Sequence, residues 1–105
     1  MSDAGGMPGE PDVREALRAV IDPEVGMNVV DLGLVYDIRI DDVGVEVDIA
    51  MTSPACPMGE SITREAREAL RSVVPATRDV RVRLVSDPPW SPARMSEAAR
   101  RHFGW

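Results

Sequence analysis

The sequence predicts an α+β fold: a two-layer α/β sandwich in the order α-β-β-α-β, with a short C-terminal helix. Three observations predict it. Residues 34–41 and 45–52 alternate apolar and polar side chains with period 2, and the stretch 79–85, "DVRVRLV", does the same. Two stretches with helical spacing precede and separate these runs. Each strand pattern has only one apolar face, so helices need to cover one side of the sheet and leave the other wet.

The opening residues 1–10, "MSDAGGMPGE", are Gly-rich, contain a proline and lack an apolar pattern. They read as a disordered N-terminal tail, which leaves 11–105 as a single domain. Pro11 suits the first turn of a helix, where its missing N–H costs nothing. Val13, Leu17, Val20 and Ile21 follow at i, i+4, i+7 and i+8 as one apolar stripe. Asp22 precedes Pro23, which disfavours helical geometry at Asp22 and ends the helix. The segment "DPEVGMNVVDLG" then has no clean period and reads as a connector.

In the first strand, Leu34, Tyr36, Ile38 and Ile40 form the apolar face. In the second, Val45, Val47, Ile49 and Met51 form it, with Glu46, Asp48, Ala50 and Thr52 opposite. The short "DDVG" link makes the two an antiparallel hairpin. A second helix runs from about Pro57 to Val74, with Met58, Ile62, Ala66, Ala69, Leu70 and Val73 as its stripe; Pro75 ends it. The third strand turns Val80, Val82 and Leu84 inward and Arg81 and Arg83 toward the acids of the hairpin. A right-handed crossover sets it parallel to the second strand. "SDPPWSP" is a rigid turn with Trp90 as packing anchor. A terminal helix then runs from Ser96, its N-cap, to Gly104, its stop, while Trp105 could fray or dock.

Composition narrows the function classes. The net charge is −6, and all twelve cations are arginine. No basic stripe suits a nucleic acid, and no apolar run approaches the ~20 residues of a membrane span. The start has neither a basic n-region nor an apolar h-region, and one cysteine cannot form an internal disulfide. The expected compartment is therefore the cytoplasm. His102, the sole histidine, falls in the last turn of the terminal helix, where a cation suits the dipole. No His, Cys, Asp or Glu cluster has zinc spacing.

The candidate chemistry lies in "TSPACPMGE", residues 52–60. Pro57 fits the first helical position, which makes Cys56 the N-cap of the second helix. Free N–H groups and the positive dipole end there stabilise a thiolate, and the hydroxyls of Thr52 and Ser53 are close in sequence. The competing reading is a buried cysteine acting as a small hydrophobe. Asp22 and Glu24, in "DPE", are either a carboxylate pair on a rigid turn or solvated acids at a helix end.

Together, "DPEVGMNVVDLGLVYDI", "MTSPACPMGESI" and "DPPWSPARMSEAARRHFG" resemble the metal–sulphur cluster biosynthesis (iron–sulphur cluster assembly) family, and the tail is most similar to its SufT-like branch. The resemblance implies the fold derived above and a non-enzymatic role in assembling iron–sulphur clusters or delivering them to client apoproteins. Carried over by residue, the family site is Asp22, Glu24, Thr52, Ser53 and Cys56, with Cys56 as transient thiolate ligand to iron or cluster. Asp22 and Glu24 would orient the thiol or supply a hard ligand. Two alternatives stand beside this reading: an adaptor between clients and assembly proteins without direct metal binding, and, more remotely, a small thiol enzyme. The last lacks a resolving cysteine and a histidine close in sequence. One thiolate per chain falls short of the four ligands a cluster normally takes. A cluster should then bridge a homodimer or be completed by a small thiol or a partner.

Overall fold

A computed structural model describes residues 8–23, 25–51 and 59–104. Helix α1 (Glu10–Leu17) starts at Gly9, whose N–H donates to the Asp12 carboxylate at 3.1 Å, and buries Val13 and Leu17. A two-stranded ribbon follows, β1 (Ile21–Asp22) antiparallel to β2 (Met27–Asn28). The main sheet has strands β3 (Val35–Ile40), β4 (Gly44–Ile49) and β5 (Asp79–Leu84) in that spatial order. The pair β3–β4 is antiparallel and β4–β5 parallel, as the crossover through α2 (Gly59–Arg71) requires. A 3-10 turn (Pro92–Arg94) and α3 (Glu97–Phe103) complete the chain.

Core formation follows from the alternation. Val45, Val47 and Ile49 of the central strand are buried together with Leu17 of α1 and Ile62, Ala66 and Leu70 of α2. The opposite face of the sheet carries charge. Arg39 donates to Glu46 at 3.1 Å and to Asp48 at 2.8 Å, and Arg83 reaches Asp48 at 3.2 Å from the far strand. Asp48 is 8% exposed. The Arg39 guanidinium holds its carboxyl below the usual carboxylate range, with Arg83 helping and burial opposing.

Four expectations need correction. Helix α1 stops at Leu17, not near Asp22. Ala19 N–H bonds Ala16 O and Val20 N–H bonds Leu17 O, a tightened last turn, and the β-branched Val20 and Ile21 then run extended. Val20 is buried, but Ile21 is 45% exposed. Second, the period of β3 breaks at Tyr36. Val35 pairs with Ile49 and Asp37 with Asp48, so Tyr36 is an extra residue in a bulge, and Leu34 and Val35 are both buried. Third, Val74, not Val73, is the buried residue after α2. Helical rotation ends at Arg71, and Val73 is left 37% exposed. Fourth, Leu84 is 46% exposed, because β5 is an edge strand with one neighbour.

At the C-terminus the pattern holds. The Ser96 hydroxyl accepts from Ala99 N–H at 3.1 Å, and Gly104 closes α3 at φ 76°. Trp90 is an anchor: its indole N–H donates to Leu32 O at 2.7 Å.

Candidate functional site

Asp22 is the one proposed site residue among those described; Glu24, Thr52, Ser53 and Cys56 lie outside the described residues. Its position follows from its neighbours. Pro23 keeps Asp22 extended, and Asp22 faces Met27 across the ribbon. Gly26, at φ 79°, turns the chain back and donates its N–H to Asp22 O at 2.7 Å. The side chain of Asp22 is fully buried, 0% exposed. A solvated acid at a helix end is therefore not what this residue is.

Backbone hydrogen bonds tie this ribbon to the main sheet in steps. Val29 N–H donates to Val20 O at 3.0 Å, Leu34 N–H to Val29 O at 3.0 Å, and Ala50 N–H to Leu34 O at 2.8 Å. On the other side, Val85 N–H donates to Ile49 O at 2.9 Å. The strand that carries Asp22 is thus coupled to Ala50, just past the end of β4 and two residues before Thr52. The segment that contains Cys56 connects this strand end to α2, whose first buried residue among those described is Ile62.

A second set of contacts holds the loop 28–34 from above, and the sequence reading did not find it. Asp31 accepts from Asn28 Nδ2 at 2.9 Å and from Arg18 at 3.1 Å, while its own N–H donates to Asn28 Oδ1 at 2.9 Å. The Asn28 hydrogen bond, followed by Arg18, holds the Asp31 carboxyl low against the effect of burial. Ser96 N–H donates to Asp31 O at 2.8 Å. Gly33, at φ 76°, lies under Arg94: a Cβ there would stand 2.0 Å from Arg94 O. Arg94 also covers the Tyr36 ring at 4.2 Å, and the Tyr36 hydroxyl donates to Pro88 O at 2.8 Å. The Asn28–Asp31 spacing was a readable signal, since an Asn side chain commonly bonds the backbone a few residues on. Residues 86–96 therefore form a strap over the loop that follows the Asp22 ribbon. His102, by contrast, is exposed at the end of α3 and remote in role from these contacts.

Among the described residues no group of three or more His, Cys, Asp or Glu side chains could hold a metal ion, and no helix is long and apolar enough to cross a membrane. The class these features define is a small α/β sandwich in which a buried aspartate is coupled through backbone hydrogen bonds to the end of the central strand. The chain belongs to the iron–sulfur cluster assembly protein family, whose model matches residues 10–84. It is 43% identical to the Fe–S protein maturation auxiliary factor SufT of Staphylococcus aureus, over 81% of this chain and 97% of that one. It is 37% identical to the Fe–S protein maturation auxiliary factor YitW of Bacillus subtilis, over 89% and 91%. A solved domain of unknown function from Bacillus anthracis superposes with a TM-score of 0.84 at 40% identity, covering 90% of this chain and 91% of that one.

Proposed function

We propose that this protein is a non-enzymatic factor that assembles iron–sulphur clusters or delivers them to client apoproteins, with Cys56 as the transient thiolate ligand. One observation carries the reading: the only cysteine of the chain lies inside the span shared with the assembly family, in the segment that follows the strand coupled to the buried Asp22. Cys56 supplies a soft ligand for iron. Asp22 and Glu24 orient that ligand or add a hard oxygen, and Thr52 and Ser53 donate hydrogen bonds beside it. The cluster is cargo, bound between donor and client. The names of the maturation factors above support this role, as does the name of an iron–sulfur cluster carrier protein from Synechocystis, 31% identical over 73% of this chain. The chain spans about a fifth of that carrier, 22% of its length.

A single thiolate sets the stoichiometry. Clusters normally take four protein ligands, mostly thiolates, so a cluster held here bridges two chains or is completed by a small thiol or a partner protein. Exchange is then easy, which suits a carrier in the cytoplasm that meets assembly proteins and clients. The test is iron and sulfide content per chain, with solution mass, after anaerobic reconstitution. A deletion strain scored for several iron–sulphur enzymes provides the cellular arm. Wild type restores those enzymes and Cys56→Ser does not. A monomer that holds a full four-iron cluster without added thiol would overturn the reading. A chain that stays free of cluster yet binds clients would transfer the role to an adaptor.

A further inference from the structure

We propose that the outer edge of β5 is a docking site for an extended polypeptide segment of another protein, one that alternates acidic and apolar residues and adds to the sheet as a fourth strand. This does not rest on the cluster reading, and Cys56 takes no part in it.

Among the described residues the edge is open. Strand β5 pairs there with β4 alone, in an unbroken register from Asp79 opposite Gly44 to Leu84 opposite Ile49. Asp79 N–H donates to Val43 O and Val85 N–H to Ile49 O, both at 2.9 Å. Parallel pairing uses alternate residues. Residues 79, 81, 83 and 85 therefore face β4, and the N–H and C=O groups of Val80, Val82 and Leu84 point away from it. No other described residue supplies these groups with a hydrogen bond.

Soluble proteins usually block such edges with proline, a bulge, an inward charge or a cover. The opposite edge is blocked in two of these ways: β3 carries the bulge at Tyr36, and Pro88 and Arg94 engage that side chain. Strand β5 has no proline, bulge or inward charge. Its inward residues Val80 and Val82 are only half-buried, and Leu84 is 46% exposed, so apolar area is left for an added strand to cover.

Charge selects the occupant. The chain carries −6 overall, yet Arg78, Arg81 and Arg83 stand within six residues, with Asp79 the only acid among them. Arg81 makes no ion pair with a described residue, and the Arg83 side chain is 61% exposed. A second copy pairing antiparallel about Val82 would set Arg81 opposite Arg83 and Arg83 opposite Arg81, like charges directly across. A strand with acids at those positions meets both arginines and places its apolar residues beside Val80, Val82 and Leu84.

The probe is a short peptide alternating glutamate and valine, with a lysine–valine peptide as control, titrated into the isotope-labelled full chain. The acidic peptide should bind saturably and slow amide exchange at Val80, Val82 and Leu84, but not at Arg81 and Arg83, whose amides are already bonded. Arg81→Glu should weaken binding by about fivefold or more. Val82→Pro removes one edge donor and leaves the β4 ladder intact, so it should abolish binding. Val82→Lys supplies the same block should the proline variant not fold. Equal binding of the two peptides, no binding, or protection elsewhere would overturn the proposal. A concentration-dependent dimer that Val82→Pro or Val82→Lys dissolves would overturn it too, by assigning the edge to a second copy.

Discussion

Gly33→Ala tests whether the strap holds the loop beside the Asp22 ribbon. Gly33 has φ 76° and Gly26 has φ 79°, so alanine meets the same backbone penalty at both. That penalty is about 1–2 kcal/mol. The surroundings differ. A Cβ at Gly26 meets nothing within 4 Å, whereas at Gly33 it stands 2.0 Å from Arg94 O and 2.5 Å from Arg94 C. Relief requires backbone to move, by about 1 Å to reach the 3.0 Å that real Cβ contacts respect. That movement pulls on two bonds anchored on either side of Arg94: Ser96 N–H to Asp31 O at 2.8 Å and the Trp90 indole to Leu32 O at 2.7 Å. Each is worth roughly 0.5–1.5 kcal/mol. Gly33→Ala should therefore cost about 2–5 kcal/mol and Gly26→Ala only about 1–2 kcal/mol. Urea unfolding gives both values, and the indole N–H resonance of Trp90 reports the strap directly. Equal losses for the two variants, with the Trp90 resonance unmoved in Gly33→Ala, would refute the strap's role.

Cys56→Ala should fold with a loss of at most ~1 kcal/mol, the cost of the N-cap that the sequence assigns to it, yet fail to restore iron–sulphur enzymes in a deletion strain; unfolding at working temperature would show Cys56 to be core filler. Asp48 and Asp31 have depressed carboxyl pKa values in the fold, so their stabilisation is complete above the unfolded value of about 3.9 and is lost as pH falls through the folded values. Arg39→Gln removes the largest cause of the Asp48 shift and should move acid unfolding to higher pH, read from urea midpoints between roughly pH 2 and 6; an unchanged acid limb would count against the network. Leu34→Ala, Ile49→Ala and Leu70→Ala should each cost about 2–5 kcal/mol, whereas Leu84→Ala should cost ~1 kcal/mol or less. A calorimetric series separates the two classes, and equal losses would place Leu84 in the core.

The legible parts of the chain are those with a repeating period. Six-residue strands with alternating faces declare themselves, and the Ser96 and Gly104 caps carry their own chemistry. The ribbon formed by Ile21–Asp22 and Met27–Asn28 has two residues per strand, too few for a period to appear. Its existence depends on Pro23, Gly26 and the bond from Val29 to Val20, and only the first two are visible as signals. Tyr36 continues the β3 alternation in sequence, and only pairing with β4 exposes it as a bulge. For the site, Asp22 could be named from the DPE turn, but its burial is set by packing. The bond from Trp90 to Leu32 joins residues 58 apart, and no local pattern reports a contact of that range.

That same separation bears on the order in which the molecule assembles. The β3–β4 hairpin closes over a three-residue link and needs nothing beyond its own segment. The parallel β4–β5 pair must wait for α2, since Asp48 and Arg83 are 35 residues apart. The strap comes last, because loop-closure entropy is lowest for the nearest contacts. What forms last and rests on few bonds also opens first. The strap is then expected to open as its own unit, so the Ser96 amide should exchange with solvent sooner than the Ala50 amide, although both make bonds of 2.8 Å. If so, the loop beside the buried aspartate opens before the sheet does.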